Sequence, residues 1–386
     1  MKIDYNSNVE KLEYIDILRG VAIILVVWLH SYHRITNPSV IISFLSNVGA
    51  FGVQLFFVTS ALTLCLSTEN RGNGSFIDFY IRRFFRIAPL YYFGIIFYFV
   101  WGIFKSYFST GSIVIPGIYN VRSIVENLLF IHGLDPLYYN KIVPGGWSIS
   151  TEMLFYFIFP QIYLLQRKLS TVNVIRLSVV VLLTCLIFQK IVFEYSHLFF
   201  ADKEVGELIR ENRGFGYVYC SIINQLPVFM VGIATYRCLD AELPKYSILF
   251  ALITLLIAIS LMNAEQLKTD FNGLFSPFFA ACFFGVMAIY LSQSSISKNV
   301  IIELTKSVGR LSFSIYIVHF FVLDIVLFFL KYASIYLNQS PSIHLSIIFS
   351  LALFMSYILS IYLNKYIEIP GISAGRIIIK TKYKFI

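Results

Sequence analysis

Within an otherwise apolar run, "IDILRGVAIILVVWLHSYH" (residues 15–33), stand a guanidinium, Arg19, and an imidazole, His30. The first is permanently charged; the second is the side chain best suited to take up a proton near neutral pH. At ~100° per residue their separation amounts to about three turns plus 20°, so both project from one helix face. The rise between them is about 16 Å, around half the hydrocarbon thickness of a bilayer. One stripe thus carries a fixed cation at one depth and a base at another. Snorkelling of Arg19 to headgroups and a polar partner for His30 are the plain alternatives. The shared face favours a water-lined path.

Three more segments hold polar groups among apolar letters. "FYIRRFFRIAP" (79–89) clusters Arg82, Arg83 and Arg86 just before a span. Guanidinium groups at i, i+3 and i, i+4 suit a multiply phosphorylated ligand, which they bind bidentately, although a basic anchor at a helix end looks the same. "PGGWSISTEMLFYFIFP" (144–160) opens with a turn and then places Trp147, Ser148 and Glu152. Glu152 needs a partner inside the bundle, and Ser148 lies on its face one turn earlier. "GRLSFSIYIVHFF" (309–321) aligns Ser312, Tyr316 and His319 at i, i+4, i+7, a polar stripe that must face protein or water. Glu368 in "YIEIPG" closes a helix end against an Arg or Lys. His33, His132, His197 and His344 sit outside the depth of any span and are read as structural or incidental.

The elements that position these groups are membrane helices. Of 386 residues 58% are hydrophobic and 13% charged, against about 25% charged in a soluble domain. Apolar runs of spanning length occupy roughly 14–34, 44–66, 87–105, 147–166, 173–193, 216–237, 246–263, 273–291, 310–332 and 343–364. Backbone facing lipid must satisfy itself, so these are helices. The expectation is an all-α polytopic bundle of about ten transmembrane helices, one domain over 1–386 with no appended soluble domain. Lys and Arg gather on the segments that share a side with the N-terminus, which places that end in the cytoplasm. The net charge of +9 is therefore a membrane-topology signal, with the lipid bilayer and no nucleic acid as partner. Five cysteines in apolar surroundings form neither a metal spacing nor a disulfide framework, so no metal is expected. The first apolar run ends in "HSYHRITNPS", unlike a leader cleavage site, and is read as a retained helix.

Taken together, "IDILRG" with Arg19-x10-His30, "GVQLFFVTSAL" (52–62), "RRFFRIAPLYY" (82–92), "WSISTEMLFYFIFP" (147–160), "LSFSIYIVH" (311–319) and "YIEIP" (366–370) resemble the integral-membrane acyltransferase-3 family. The motifs occur in the family's order along almost the whole chain. The resemblance implies transfer of an acetyl or other short acyl group from cytoplasmic acyl-CoA, commonly acetyl-CoA, to a hydroxyl of an extracytoplasmic or lipid-linked glycan, in the inner (plasma) membrane. On that reading Arg82, Arg83 and Arg86 hold the donor's phosphates. Arg19, His30, Glu152 and His319 are the catalytic candidates, with His30 as general base, and Trp147, Ser148 and Tyr316 touch substrate. A covalent acyl-His30 intermediate and direct transfer are both open. So is a different class, a transporter or flippase for a lipid-linked saccharide, which also needs polar groups inside its spans.

Overall fold

The computed structural model describes residues 13–71, 75–195, 215–263, 275–296, 299–332 and 340–383; His197 lies outside them. Among these residues every regular element is helical. In chain order they are α1 (Glu13–Tyr32), α2 (Val40–Asn47), α3 (Gly52–Glu69), α4 (Phe76–Thr110), α5 (Val121–Leu128), α6 (Gly146–Arg167), α7 (Thr171–Glu194), α8 (Phe215–Cys220), α9 (Ile222–Arg237), α10 (Ser247–Asn263), α11 (Ser276–Gln293), α12 (Val300–Arg310), α13 (Ser312–Tyr332), α14 (Pro341–Leu363) and α15 (Ile369–Lys382). Nine helical stretches among the described residues are long and apolar enough to cross a bilayer, and the apolar helix at 247–262 is a shorter tenth. The protein is a multi-pass membrane helix bundle.

Several ends differ from the sequence expectation. The third span does not begin after the arginine cluster. Ser75 accepts a hydrogen bond from the Ile77 amide at 3.2 Å and caps a helix of 35 residues, so Arg82, Arg83 and Arg86 are carried on α4 itself. At 1.5 Å per residue that helix is about 50 Å long, well beyond a hydrocarbon core of about 30 Å. The expected second span divides into α2, a 3-10 turn at 48–51, and α3. The last one runs on past its predicted end through a π-helical turn, Asn364–Glu368, into α15.

The first helix sits among its neighbours, packed against α3, α12, α13 and α14. Small residues let these helices approach closely, which is how packing is gained where lipid removes the hydrophobic drive between helices. At Gly309 of α12 an added Cβ would lie 1.8 Å from the Asp16 carbonyl oxygen of α1. A charged clamp seals the same end: Lys306, on α12 outside the spans, is paired with Glu303 and lies 2.9 Å from Glu13. Both carboxylates hold its ammonium above the ordinary lysine range. The Arg19 end of α1, the N-terminal part of α4, the first half of α6 and the start of α13 converge on one pocket, with His30 at the opposite end of α1.

Candidate functional site

A pocket of about 730 Å³, the open space at its mouth included, lies between α1, α3, α4, α6 and α13. Arg19, Arg83 and Arg86 line it, with Ser60, Glu152, Tyr156, Ser148, Ser312 and Tyr316. Helix spacing sets most of this geometry. Glu152 and Tyr156 are i, i+4 on α6, and the tyrosine hydroxyl donates to the Glu152 carboxylate at 2.5 Å. Ser60 of α3 donates to the same oxygen, also at 2.5 Å. A carboxylate inside a bundle is retained when it is hydrogen-bonded in this way.

The arginines have separate placements. Arg83 lies over the rings of Phe79 (5.7 Å) and Tyr156 (5.8 Å) and donates to Ser67 at 2.9 Å. Arg86 meets Glu368 at 3.2 Å. The Arg19 guanidinium reaches Thr63 at 3.5 Å, a long contact. Arg82 does not face this pocket. It lines a second hollow of about 420 Å³, shared with Arg71, Arg83, Ser67, Thr68, Ser75 and aromatic rings. Among the described residues no acidic side chain lines that hollow, and Arg83 belongs to both. Arg71 is a functional candidate that no motif in the sequence singles out.

At its far end the first pocket stops at Ser148 and Tyr316. The Tyr316 hydroxyl donates to the Gly145 carbonyl at 2.9 Å, and Ser148 lies 2.7 Å from the same hydroxyl. Gly145 has φ 78°, and a Cβ there would stand 2.9 Å from the Tyr316 hydroxyl. The Pro-Gly-Gly turn therefore needs glycine for both its backbone and its contact. Beyond Tyr316 is the histidine pair: its ring centroid is 5.6 Å from that of His319, which is 5.3 Å from that of His30. Phe320 packs on both imidazoles, at 4.3 Å from His30 and 4.2 Å from His319. Arg19 and His30 thus do not border one continuous opening here. Gly145 and Ser148 hold the Tyr316 ring across the pocket's end, and from that ring the contacts run through His319 to His30.

His319 is fully buried, its Nδ1 2.7 Å from the Tyr316 carbonyl oxygen. That contact makes Nδ1 the protonated nitrogen and leaves Nε2, which has no partner, as an acceptor. Glu152 stands with Arg19 and Arg83 in the pocket rather than with the histidines. Its carboxylate is taken up by Ser60 and Tyr156, so it is not placed to orient His30. Trp147 is also apart from the pocket, packed on Phe57 (6.2 Å) and Tyr219 (6.5 Å).

The opposite end of the bundle has its own anchors. Asp324, one turn beyond Phe320 on α13, lies 3.2 Å from Arg34 and 3.1 Å from Lys105, and accepts from the Trp101 indole at 3.2 Å. His132, in the segment before α6, stacks on Tyr91 and places Nε2 3.0 Å from the Gly146 carbonyl oxygen. Burial pushes its imidazole down to about 4, against the opposing pull of that carbonyl. Its role is to fasten the glycine turn.

Comparison with known proteins identifies the family of this chain. A family model described as an acyltransferase domain, the acyltransferase-3 type, matches residues 12–363. A stretch of 129 residues, 32% of this chain, is 30% identical to "Acyltransferase MdmB" of Streptomyces mycarofaciens and spans 31% of that protein, less than a third of its length. No solved structure matches.

Proposed function

Because this chain belongs to the acyltransferase-3 family, we propose that it is a membrane O-acyltransferase that takes a short acyl group, acetyl in the first instance, from cytoplasmic acyl-CoA. The acceptor is a hydroxyl of an extracytoplasmic or lipid-linked saccharide, and the site of action is the inner membrane. One observation carries the reading: a pocket lined by three arginines at the basic end of the bundle terminates on a tyrosine packed against the His30–His319 pair.

The nucleotide phosphates of the donor occupy the hollow lined by Arg71, Arg82 and Arg83 with the hydroxyls of Ser67, Thr68 and Ser75. The pantetheine arm then lies past Arg83 in the first pocket, beside Arg19, Arg86 and Glu152. For transfer, the Tyr316 wall yields and brings the thioester to the histidines. A neutral imidazole, the form prevailing at pH 7, is what a base needs. His30 takes the proton of the acceptor hydroxyl as its oxygen attacks the thioester carbonyl. The carbon–oxygen bond forms, the carbon–sulfur bond breaks, and the departing CoA thiolate recovers the proton from His30. His319, with Nδ1 engaged, offers Nε2 to orient His30 or the sugar.

Membranes given labelled acetyl-CoA and a glycan acceptor test this. Wild-type protein should label the glycan, His30→Ala should not, and Arg83→Ala should label it far less efficiently. Saccharide translocation without labelling would replace the enzyme with a flippase. Label retained on the protein when no acceptor is present would replace direct transfer with an acyl-His30 intermediate.

A further inference from the structure

The C-terminal segment reaches the arginine pocket from behind. Between α14 and α15 the helix widens into the π turn Asn364–Glu368. Such a turn inserts a residue into the α-helical ladder and changes which side of the helix faces inward. Here it buries Glu368 to 2% exposure while Tyr366 and Ile369 on either side remain outward. The two oxygens of the buried carboxylate are used on different helices. Oε2 accepts from Ser314 of α13 at 2.9 Å, and Oε1 lies 3.2 Å from Arg86 of α4. The contact with Arg86 has ion-pair distance but not hydrogen-bond alignment.

The rest of α15 keeps that carboxylate in register. Glu368, Gly371 and Gly375 share one face at i, i+3, i+7. A Cβ on Gly371 would stand 2.6 Å from Pro89, and one on Gly375 would stand 2.8 Å from the Cβ of Phe85. The glycine face therefore lies directly on the stretch of α4 that carries Arg86. The exposures of the pair are unequal: the Glu368 side chain is 1% exposed and that of Arg86 35%. The anion is hidden and the cation is presented. Arg86 shares its pocket with Arg19 and Arg83, so without an anion behind it like-charge repulsion would drive it away.

We infer that Glu368 is a positioning residue of the donor site, holding Arg86 at the pocket wall against the neighbouring arginines. This rests on the acyl-CoA reading for its kinetic consequence, but not for its geometry. In Glu368→Gln the KM for acetyl-CoA rises about ten-fold, the loss expected for one charge-assisted contact, while kcat and the acceptor KM stay within about two-fold. Glu368→Asp recovers part of the loss. In an Arg86→Ala background Glu368→Gln adds nothing, since the residue it acts through is gone. A second readout needs no donor: phenylglyoxal, which modifies guanidinium groups, labels Arg86 faster in Glu368→Gln than in wild type, read by peptide mass spectrometry on monodisperse protein. Full additivity in the double variant, a fall in kcat at unchanged KM, or unaltered Arg86 labelling overturns the assignment. If wild-type membranes transfer nothing from acetyl-CoA, the donor reading fails. The labelling experiment then decides alone, faster labelling supporting Glu368 as the positioning group and unchanged labelling refuting it.

Discussion

Arg83 is the arginine common to both hollows, so its replacement distinguishes phosphate recognition from a structural role. Arg83→Gln keeps an amide stem between Phe79 and Tyr156 and removes the charge. In wild type the guanidinium donates to Ser67 at 2.9 Å and lies 5.7 and 5.8 Å from the two ring centroids. One hydrogen bond to a charged group is worth about 1.5–3 kcal/mol. Taking ~2 kcal/mol for a single lost phosphate contact gives about a 30-fold fall in kcat/KM for acetyl-CoA. The lost cation–π contacts cost folding stability of about 1–2 kcal/mol, read separately from thermal unfolding in detergent. The decisive arm uses acetyl-pantetheine, which carries the same thioester and no phosphate. Wild type and Arg83→Gln should use it with equal efficiency. An equal loss with both donors would refute the assignment of Arg83 to the phosphates.

Further outcomes follow from other parts of the site. His30→Gln should lower acetyl transfer by about 10²–10⁴-fold, the usual worth of a general base, with acetyl-CoA binding unchanged by equilibrium dialysis. Gly145→Ala forces an L side chain to a positive φ and onto the Tyr316 hydroxyl; it should destabilise the protein by about 1–3 kcal/mol in detergent unfolding. His132 supplies a pH test. Its folded imidazole stays neutral down to about 4, whereas an opened segment takes up a proton near the ordinary value of about 6.5. The open state thus binds more protons, and stability is lost as pH falls through that interval, by at most about 3 kcal/mol. Hydrogen-exchange protection factors across residues 121–146, which divide out the intrinsic pH dependence of exchange, should fall between pH 7 and 5, and His132→Asn should flatten that dependence.

The helical, many-span character was legible because apolar runs of spanning length leave few other solutions. The arginine cluster was legible as a donor-site candidate, but its division between two hollows was not. Which way Arg82 and Arg83 turn depends on α3 and α6, and neither sequence neighbour reports it. Glu152 was identifiable as an intramembrane carboxylate in need of partners. Tyr156 could have been proposed from its i+4 spacing, whereas Ser60 arrives from another helix. The stripe through Arg19 and His30 was geometrically sound as a helix face. What it could not reveal is that Tyr316, from a span some three hundred residues later, closes the pocket that holds Arg19. Glu368 read as a helix-end charge partner, and it is paired with Arg86. The π turn that buries it leaves no compositional trace.

The way α15 is tied to α4 has a bearing on biosynthesis. Residues 364–382 emerge from the ribosome after every other helix described here. Until they are inserted, Arg86 lacks its counter-ion and Pro89 its covering glycine. A nascent chain halted before this point would hold the histidines and the other arginines with an unfinished wall behind Arg86, which residues 364–382 then complete.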